Sequence, residues 1–152
     1  MNIAIMGKIH PDGLTTFKNR GINYKEIENF EKNSLIENLK DVEGIVLRTA
    51  KLDQEILSKC KNLKIVSRHG VGYDNVDSTY LNQNNIALAI TGTSNSVSVA
   101  EHVMTMILSI TKNIYSYDKL VKSGNFKKKY EVGDFFELYN KNIFILGFGR
   151  IG

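Results

Sequence analysis

Cysteine is nearly missing from this sequence, with Cys60 the one thiol among 152 residues. A single cysteine excludes an intramolecular disulfide framework and fits a reducing compartment. The N-terminal stretch MNIAIMG (1–7) lacks a basic region and a long apolar core, so it indicates a first β-strand and not a signal peptide. The most apolar helical stretch, VMTMILSI (103–110), is far shorter than the roughly 20 residues that span a bilayer. We therefore expect a cytoplasmic protein with no membrane partner.

A strong excess of one charge is also missing. The sequence has 20 basic and 16 acidic residues, a net charge of +4, and 42% apolar residues, as in ordinary soluble globular proteins. The densest basic run is Lys127–Lys129, between Phe126 and Tyr130. Such a run either contacts nucleic acid or forms a solvated loop, and the second interpretation is favoured because three lysines in a loop are common on protein surfaces. No nucleic-acid partner is predicted.

The three histidines have no spacing typical of metal ligands, and no serine or cysteine arrangement suggests a catalytic triad. His10 and His102 are interpreted as structural or exposed residues. His69 lies beside a glycine-rich loop and is a weaker candidate for ligand contact. The sequence predicts no metal site.

Short apolar runs alternate with helical patterns over the first 90 residues. This rhythm is typical of a parallel sheet with helices on both faces, so the predicted fold class is α/β. The predicted strands are 2–6, 22–27, 44–47, 64–67 and 86–90, and the predicted helices are 12–20, 34–40, 54–59 and 77–84.

The alternation stops after the polar stretch TGTSNS (91–96). A long helical pattern with one apolar face follows, then a second helix over 115–123 and a predicted strand at 143–146. The sequence therefore divides into a first domain, residues 1–94, and the beginning of a second, residues 95–152.

The last six residues, GFGRIG (147–152), satisfy the pattern G-x-G-x-x-G directly behind the apolar run IFIL. In dinucleotide-binding proteins the first glycine allows a tight turn, the second admits a pyrophosphate, and the third allows close packing of helix and strand. The pattern alone is weak, since a glycine turn in another kind of α/β protein would also satisfy it. The helix and the acidic residue that would complete the fingerprint fall after residue 152.

A second glycine-rich loop, HGVG (69–72), follows the predicted strand 64–67. In open α/β sheets ligands bind at the carboxyl ends of the strands. Gly70 and Gly72 carry no side chains, so the N–H groups of Gly70, Val71 and Gly72 could reach a small anion. A purely structural turn is equally compatible with these residues.

Arg48 follows the predicted strand 44–47 and belongs to the same sheet edge as the HGVG loop. An arginine at this position can hold a carboxylate through two parallel hydrogen bonds. A surface arginine at the end of a strand would produce the same pattern, and the sequence leaves both interpretations open.

Taken together, four segments resemble the D-isomer-specific 2-hydroxyacid dehydrogenases, particularly the phosphoglycerate dehydrogenase-like branch. The similarity in order and spacing runs from about residue 44 to the end, while residues 1–43 agree only in their βα rhythm. The segments are VLRTAKLDQEIL (46–57), NLKIVSRHGVGYDNVD (62–77), SNSVSVAEH (94–102) and NIFILGFGRIG (142–152).

The resemblance implies a flavodoxin-like substrate domain, into which a Rossmann domain for NAD is inserted, with NADP not excluded. Relatives transfer a hydride between the cofactor and a D-2-hydroxy acid or 2-keto acid, and form two-fold dimers through the long helix. The implied substrate-binding residues are Arg48, Gly70, Val71, Gly72 and Asn95. The implied cofactor-binding residues are Val71, Gly147, Gly149, Arg150, Ile151 and Gly152.

The family's catalytic arginine, acidic residue and histidine all come after the dinucleotide loop, so no catalytic residue is predicted in this chain. We therefore expect the chain to be the first part of a dehydrogenase and to be inactive by itself. One alternative is a nucleotide-sensing or corepressor-like binding module on the same scaffold. Another is a free-standing interaction domain, for which residues 147–152 would be incidental.

Overall fold

The computed structural model describes all residues, Met1–Gly152, and divides into two compact units. The first unit is Met1–Gly92 and the second is Thr93–Gly152. The assignment of these stretches to a substrate domain and a cofactor domain stays a prediction. None of the helices is long and apolar enough to cross a lipid bilayer.

The first unit is built on one sheet of five parallel strands in the order β2-β1-β3-β4-β5. This is the flavodoxin-like order, so the predicted α/β fold class is confirmed. The bounds of β1 and β3 agree with the prediction, and the others differ by a residue. The strands are β1 (Asn2–Met6), β2 (Asn23–Ile27), β3 (Gly44–Leu47), β4 (Ile65–Arg68) and β5 (Ala87–Ile90).

Four helices connect these strands, and two of them are capped by aspartates that the sequence places at their starts. The Asp53 carboxylate accepts a hydrogen bond from the Ile56 N–H at 3.0 Å, and that of Asp77 accepts from the Tyr80 N–H at 2.9 Å. Each cap satisfies a donor that has no partner inside the helix. The helices are α1 (Pro11–Asn19), α2 (Lys32–Leu39), α3 (Gln54–Leu57) and α4 (Ser78–Gln83).

The hydrophobic core lies around the three inner strands of the sheet, β1, β3 and β4. Helices cover both faces of a parallel sheet, so β3, and β1 after Asn2, carry no polar side chain and do not alternate. The buried side chains of the core include Met6, Leu35, Leu47, Leu52 and Leu57. Cys60 packs among them, and its burial raises the pKa of the thiol to about 11.

Glu43 joins three groups at the amino-terminal edge of the sheet. Its carboxylate accepts hydrogen bonds from Lys64 Nζ at 2.7 Å and from the Asn2 N–H at 3.0 Å, and the N-terminal ammonium of Met1 lies 3.5 Å away. The Lys64 hydrogen bond, followed by that of Asn2, lowers the pKa of Glu43 to about 2. This edge is opposite to the one that carries Arg48.

The second unit contains α5 (Ser96–Thr111), α6 (Ile114–Lys122) and a 3-10 helix (Phe126–Glu131), but no strand. The predicted strand at 143–146 is therefore wrong for this structure. Its residues are exposed, from 51% for Ile145 to 90% for Leu146. The local pattern is suited to a strand, but a parallel strand needs a neighbour to satisfy its backbone groups, and the second unit supplies none.

Candidate functional site

The site begins where β1 and β3 lie side by side at the centre of the sheet. The strand order reverses at this pair, and the loops after the two strands lead to opposite faces. Such a switch point opens a crevice at the carboxyl ends of the strands, where open α/β sheets bind ligands. Gly7 lies in this crevice with φ +96°, and a Cβ on it would meet the Cβ of Arg48 at 3.2 Å. The first βα loop therefore approaches Arg48 closely.

Arg48 lies at the switch point, directly after β3. Its backbone N–H donates to the Met6 carbonyl at 3.0 Å, and its Nη1 donates to the Lys8 carbonyl at 2.9 Å. The side chain is otherwise exposed, and its Nε and Nη2 groups donate to no protein acceptor. The Nε–Nη2 edge of the guanidinium is therefore free for a planar, two-point hydrogen bond to a carboxylate.

The HGVG loop follows β4, the next strand of the sheet. The predicted set of three free amides is corrected to two, because the Gly70 N–H donates to the Arg68 carbonyl at 2.8 Å. The N–H groups of Val71 and Gly72 have no protein acceptor. Gly72 has no positive φ, and a Cβ there would meet no atom closer than 3.6 Å. No contact within the chain therefore requires glycine at position 72. The absence of a side chain there leaves the backbone accessible to a ligand.

Arg68 also belongs to this edge, although no sequence motif singled it out. Its guanidinium turns toward the loop, where Nη1 donates to the His69 carbonyl and Nε donates to Asn75 Oδ1 at 3.3 Å. Arg68 and Asn75 line an open cavity of about 280 Å³, together with Thr49, Gly72 and Asp74. The signal that could have found Arg68 is its register, since it is paired with Leu47, the residue before Arg48.

The three histidines take no part in a metal site. His69 uses its backbone N–H to extend the pairing of β4 with β3, donating to the Leu47 carbonyl at 2.7 Å. His10 caps α1, where its Nδ1 accepts a hydrogen bond from the Asp12 N–H at 3.3 Å. His102 is exposed on α5. No group of three or more histidine, cysteine or acidic side chains lies close enough together to hold a metal ion.

The remaining predicted site residues belong to the second unit. Asn95 is exposed and precedes the first residue of α5, without capping it through its side chain. Gly147 turns with φ +86°, and a Cβ on Gly147 or Gly149 would meet nothing within 4 Å. The glycine turn thus leaves room for a phosphate. No strand is formed over 143–146, and no helix end presents the amides of Arg150 and Ile151 in this structure.

Comparison with known proteins gives a consistent result. A family model described as "D-isomer specific 2-hydroxyacid dehydrogenase, catalytic domain" matches residues 3–142. The chain is 30% identical over 153 residues to D-3-phosphoglycerate dehydrogenase of Archaeoglobus fulgidus, covering 100% of this chain and 29% of that protein.

Two solved structures are similar to the chain over 99% of its length. The NAD-dependent formate dehydrogenase from Staphylococcus aureus in complex with NAD superimposes with a TM-score of 0.85 and 28% identity. The D-lactate dehydrogenase from Aquifex aeolicus complexed with NAD and lactic acid gives a TM-score of 0.83 and 27% identity. The chain covers 50% and 46% of these two structures, so it spans half or less of each relative named here.

Proposed function

This chain belongs to the D-isomer specific 2-hydroxyacid dehydrogenase family, and we propose that its first unit binds the carboxylate of a 2-hydroxy or 2-keto acid. The complete protein would be an oxidoreductase that interconverts a D-2-hydroxy acid and a 2-keto acid. The observation that carries this proposal is the pair of anion-binding groups at one sheet edge. These are the free guanidinium edge of Arg48 and the two unpaired amides of the HGVG loop.

The chemistry of these groups matches a small carboxylate. Two nitrogens of Arg48 can face two carboxylate oxygens in one plane, and a charge-assisted pair of this kind is stronger than a neutral one. The amides of Val71 and Gly72 can donate to an oxygen on the same ligand, since both follow the neighbouring strand. Gly70 would contribute through its backbone shape and not through its N–H, which is already bonded.

We propose NAD as the cofactor, with NADP as the alternative, and we propose that the 147–152 loop holds its phosphates; Val71 stays a predicted cofactor contact. Support comes from the glycine spacing and from the relatives that were solved with NAD. When bound, a nicotinamide cofactor supplies or accepts the hydride. In this proposal the residues of the first unit hold the acid in place, and Asn95 stays a predicted substrate-binding residue.

We propose further that this chain acts as part of a longer polypeptide, which would supply the groups that donate and accept the proton. The coverage of 29% to 50% of its relatives supports this, as does the exposed apolar segment 143–146. A homodimer through α5 is proposed as well. The support is its row of exposed apolar side chains, which would lose contact with water in a dimer. The row includes Val103, Met104 and Leu108.

The carboxylate site can be tested on the chain itself. The isotopically labelled protein is titrated with pyruvate while the amide resonances of Val71 and Gly72 are followed by NMR. We expect saturable shifts of both amides in the millimolar range. Pyruvamide, which has the same ketone but no carboxylate, is the matched control and should leave them in place. Equal shifts with both compounds, or none with pyruvate, would refute the proposed site.

A further inference from the structure

The two halves of the carboxylate site come from different segments of the chain, and one side chain joins them. Asn75 Nδ2 donates to the Ala50 carbonyl at 2.7 Å, in the segment that follows Arg48. Asn75 Oδ1 accepts from Arg68 Nε at 3.3 Å, and Arg68 in turn donates to the carbonyl of His69, next to the glycines. The amide therefore bonds to the segment after β3 and to the end of β4 at once.

We propose that Asn75 is a positioning residue that fixes the distance between the Arg48 guanidinium and the amides of Val71 and Gly72. The inference rests on the proposed carboxylate site and adds to it the element that holds its two halves in register. A ligand that is bound by two separate segments binds tightly only when both segments are already ordered in the free protein, because ordering them on binding would reduce the affinity.

The chemistry of the position requires an asparagine-like group. One end must donate to a carbonyl and the other must accept from a guanidinium, so the side chain needs a donor and an acceptor in one plane. Aspartate lacks the donor and leucine lacks both. Asn75 is partly buried, so each of its two bonds is shielded in part from competing water.

The backbone around Asn75 is held by separate hydrogen bonds. The Leu52 N–H donates to the Asn75 carbonyl at 2.8 Å, and the Asp77 N–H donates to the Leu52 carbonyl at 2.9 Å, as a short parallel bridge. These bonds do not depend on the side chain. Removing the side chain should therefore release the glycine loop while leaving the fold intact.

The experiment compares two variants that each lose an asparagine side chain bonded to a backbone carbonyl. Asn75→Ala is the test. Asn84→Ala is the matched control, because its Nδ2 donates to the Tyr80 carbonyl at 2.9 Å on an exposed surface at the end of α4. Pyruvate affinity and the backbone order of Val71 and Gly72 are measured by NMR, and the melting temperature is measured in parallel.

We expect Asn75→Ala to lower the pyruvate affinity by about fivefold, because the loop would then have to be ordered on binding, and to reduce the backbone order of both amides. Asn84→Ala should change neither, even if the two melting temperatures fall alike. An unchanged affinity and order in Asn75→Ala would overturn the inference. Should that variant not fold, Asn75→Ser replaces it, because serine suits a turn but cannot reach both partners.

The outcome separates this inference from the function on which it rests. If pyruvate leaves the amides of the unsubstituted chain in place, the carboxylate site is refuted, whatever the variants do. If pyruvate binds and the loop stays ordered without the Asn75 side chain, the site stands and the positioning role is refuted.

Discussion

Replacing Arg48 by lysine tests whether Arg48 binds the substrate carboxylate or is only a surface arginine at the end of a strand. The substitution keeps the positive charge but removes the planar fork, because an ammonium group cannot offer two parallel N–H bonds. In the structure Nη1 of Arg48 donates to the Lys8 carbonyl at 2.9 Å, and the Nε–Nη2 edge of the guanidinium is free. The expected defect is therefore in ligand binding and not in folding.

The magnitude follows from the number of bonds lost. Lysine keeps one charged contact to the carboxylate and loses the second, and a charge-assisted hydrogen bond contributes about 1.5–3 kcal/mol. That range corresponds to a loss of about 10- to 150-fold in affinity. Because Arg48 is exposed and water competes for the carboxylate, we expect the lower end, about tenfold.

The assay is the pyruvate titration of the chain, and in the proposed complete dehydrogenase kcat/KM should fall by a similar factor. Arg20→Lys is the matched control, since Arg20 is an exposed arginine at the end of α1 with no side-chain hydrogen bond in the structure. The cofactor KM should hardly change in either variant. A pyruvate affinity that is the same in Arg48→Lys and Arg20→Lys, with both proteins folded, would remove Arg48 from the site.

Three further predictions concern the chain as a whole. With NADH or NADPH and glyoxylate, hydroxypyruvate or 3-phosphohydroxypyruvate, the 152-residue chain should consume no cofactor, because no helix end presents the amides of the 147–152 loop to a dinucleotide; turnover above the buffer rate would contradict this. The pKa of Glu43 is about 2 in the folded chain against an ordinary 4.5, so its contribution to stability is present above pH 4.5 and is lost as the pH falls toward 2. The free energy of unfolding, measured in urea at about pH 6 and at about pH 3, should therefore fall less between these two pH values for Glu43→Gln than for the unsubstituted chain. Equal falls would show that the Glu43 carboxylate is not responsible. Iodoacetamide at neutral pH should alkylate Cys60 slowly in the folded protein and fast in urea, because the buried thiol has a pKa of about 11; labelling of the folded protein at the rate of a free thiol would refute this.

The sheet could be predicted from the sequence because its central strands are short apolar runs between glycine and polar residues. The expected bounds 2–6 and 44–47 are those of β1 and β3. The strand at 143–146 has an equally good local pattern, yet it is not formed. Strand formation depends on a neighbour, and a local pattern does not state whether one is present.

The candidate site was predictable only in part, for a similar reason. The glycines and Arg48 stand out because they follow strands, where ligands bind. The hydrogen bond of Asn75 to Ala50 joins residues 25 positions apart, its bond to Arg68 joins residues seven positions apart, and no periodicity reveals either of them. The Gly70 amide was assigned wrongly because its bond to the Arg68 carbonyl depends on the path of the turn, which residue types leave open.

The strand order also has a consequence for folding during synthesis on the ribosome. β1 is synthesised first, yet it lies between β2 and β3, so it has no complete pairing until Leu47 has emerged. Each later strand then adds to the edge formed just before it, with β5 last. We expect the sheet to assemble in the order of synthesis. Since every pairing joins strands roughly twenty or more residues apart, the unit should fold more slowly than a helical bundle of equal length.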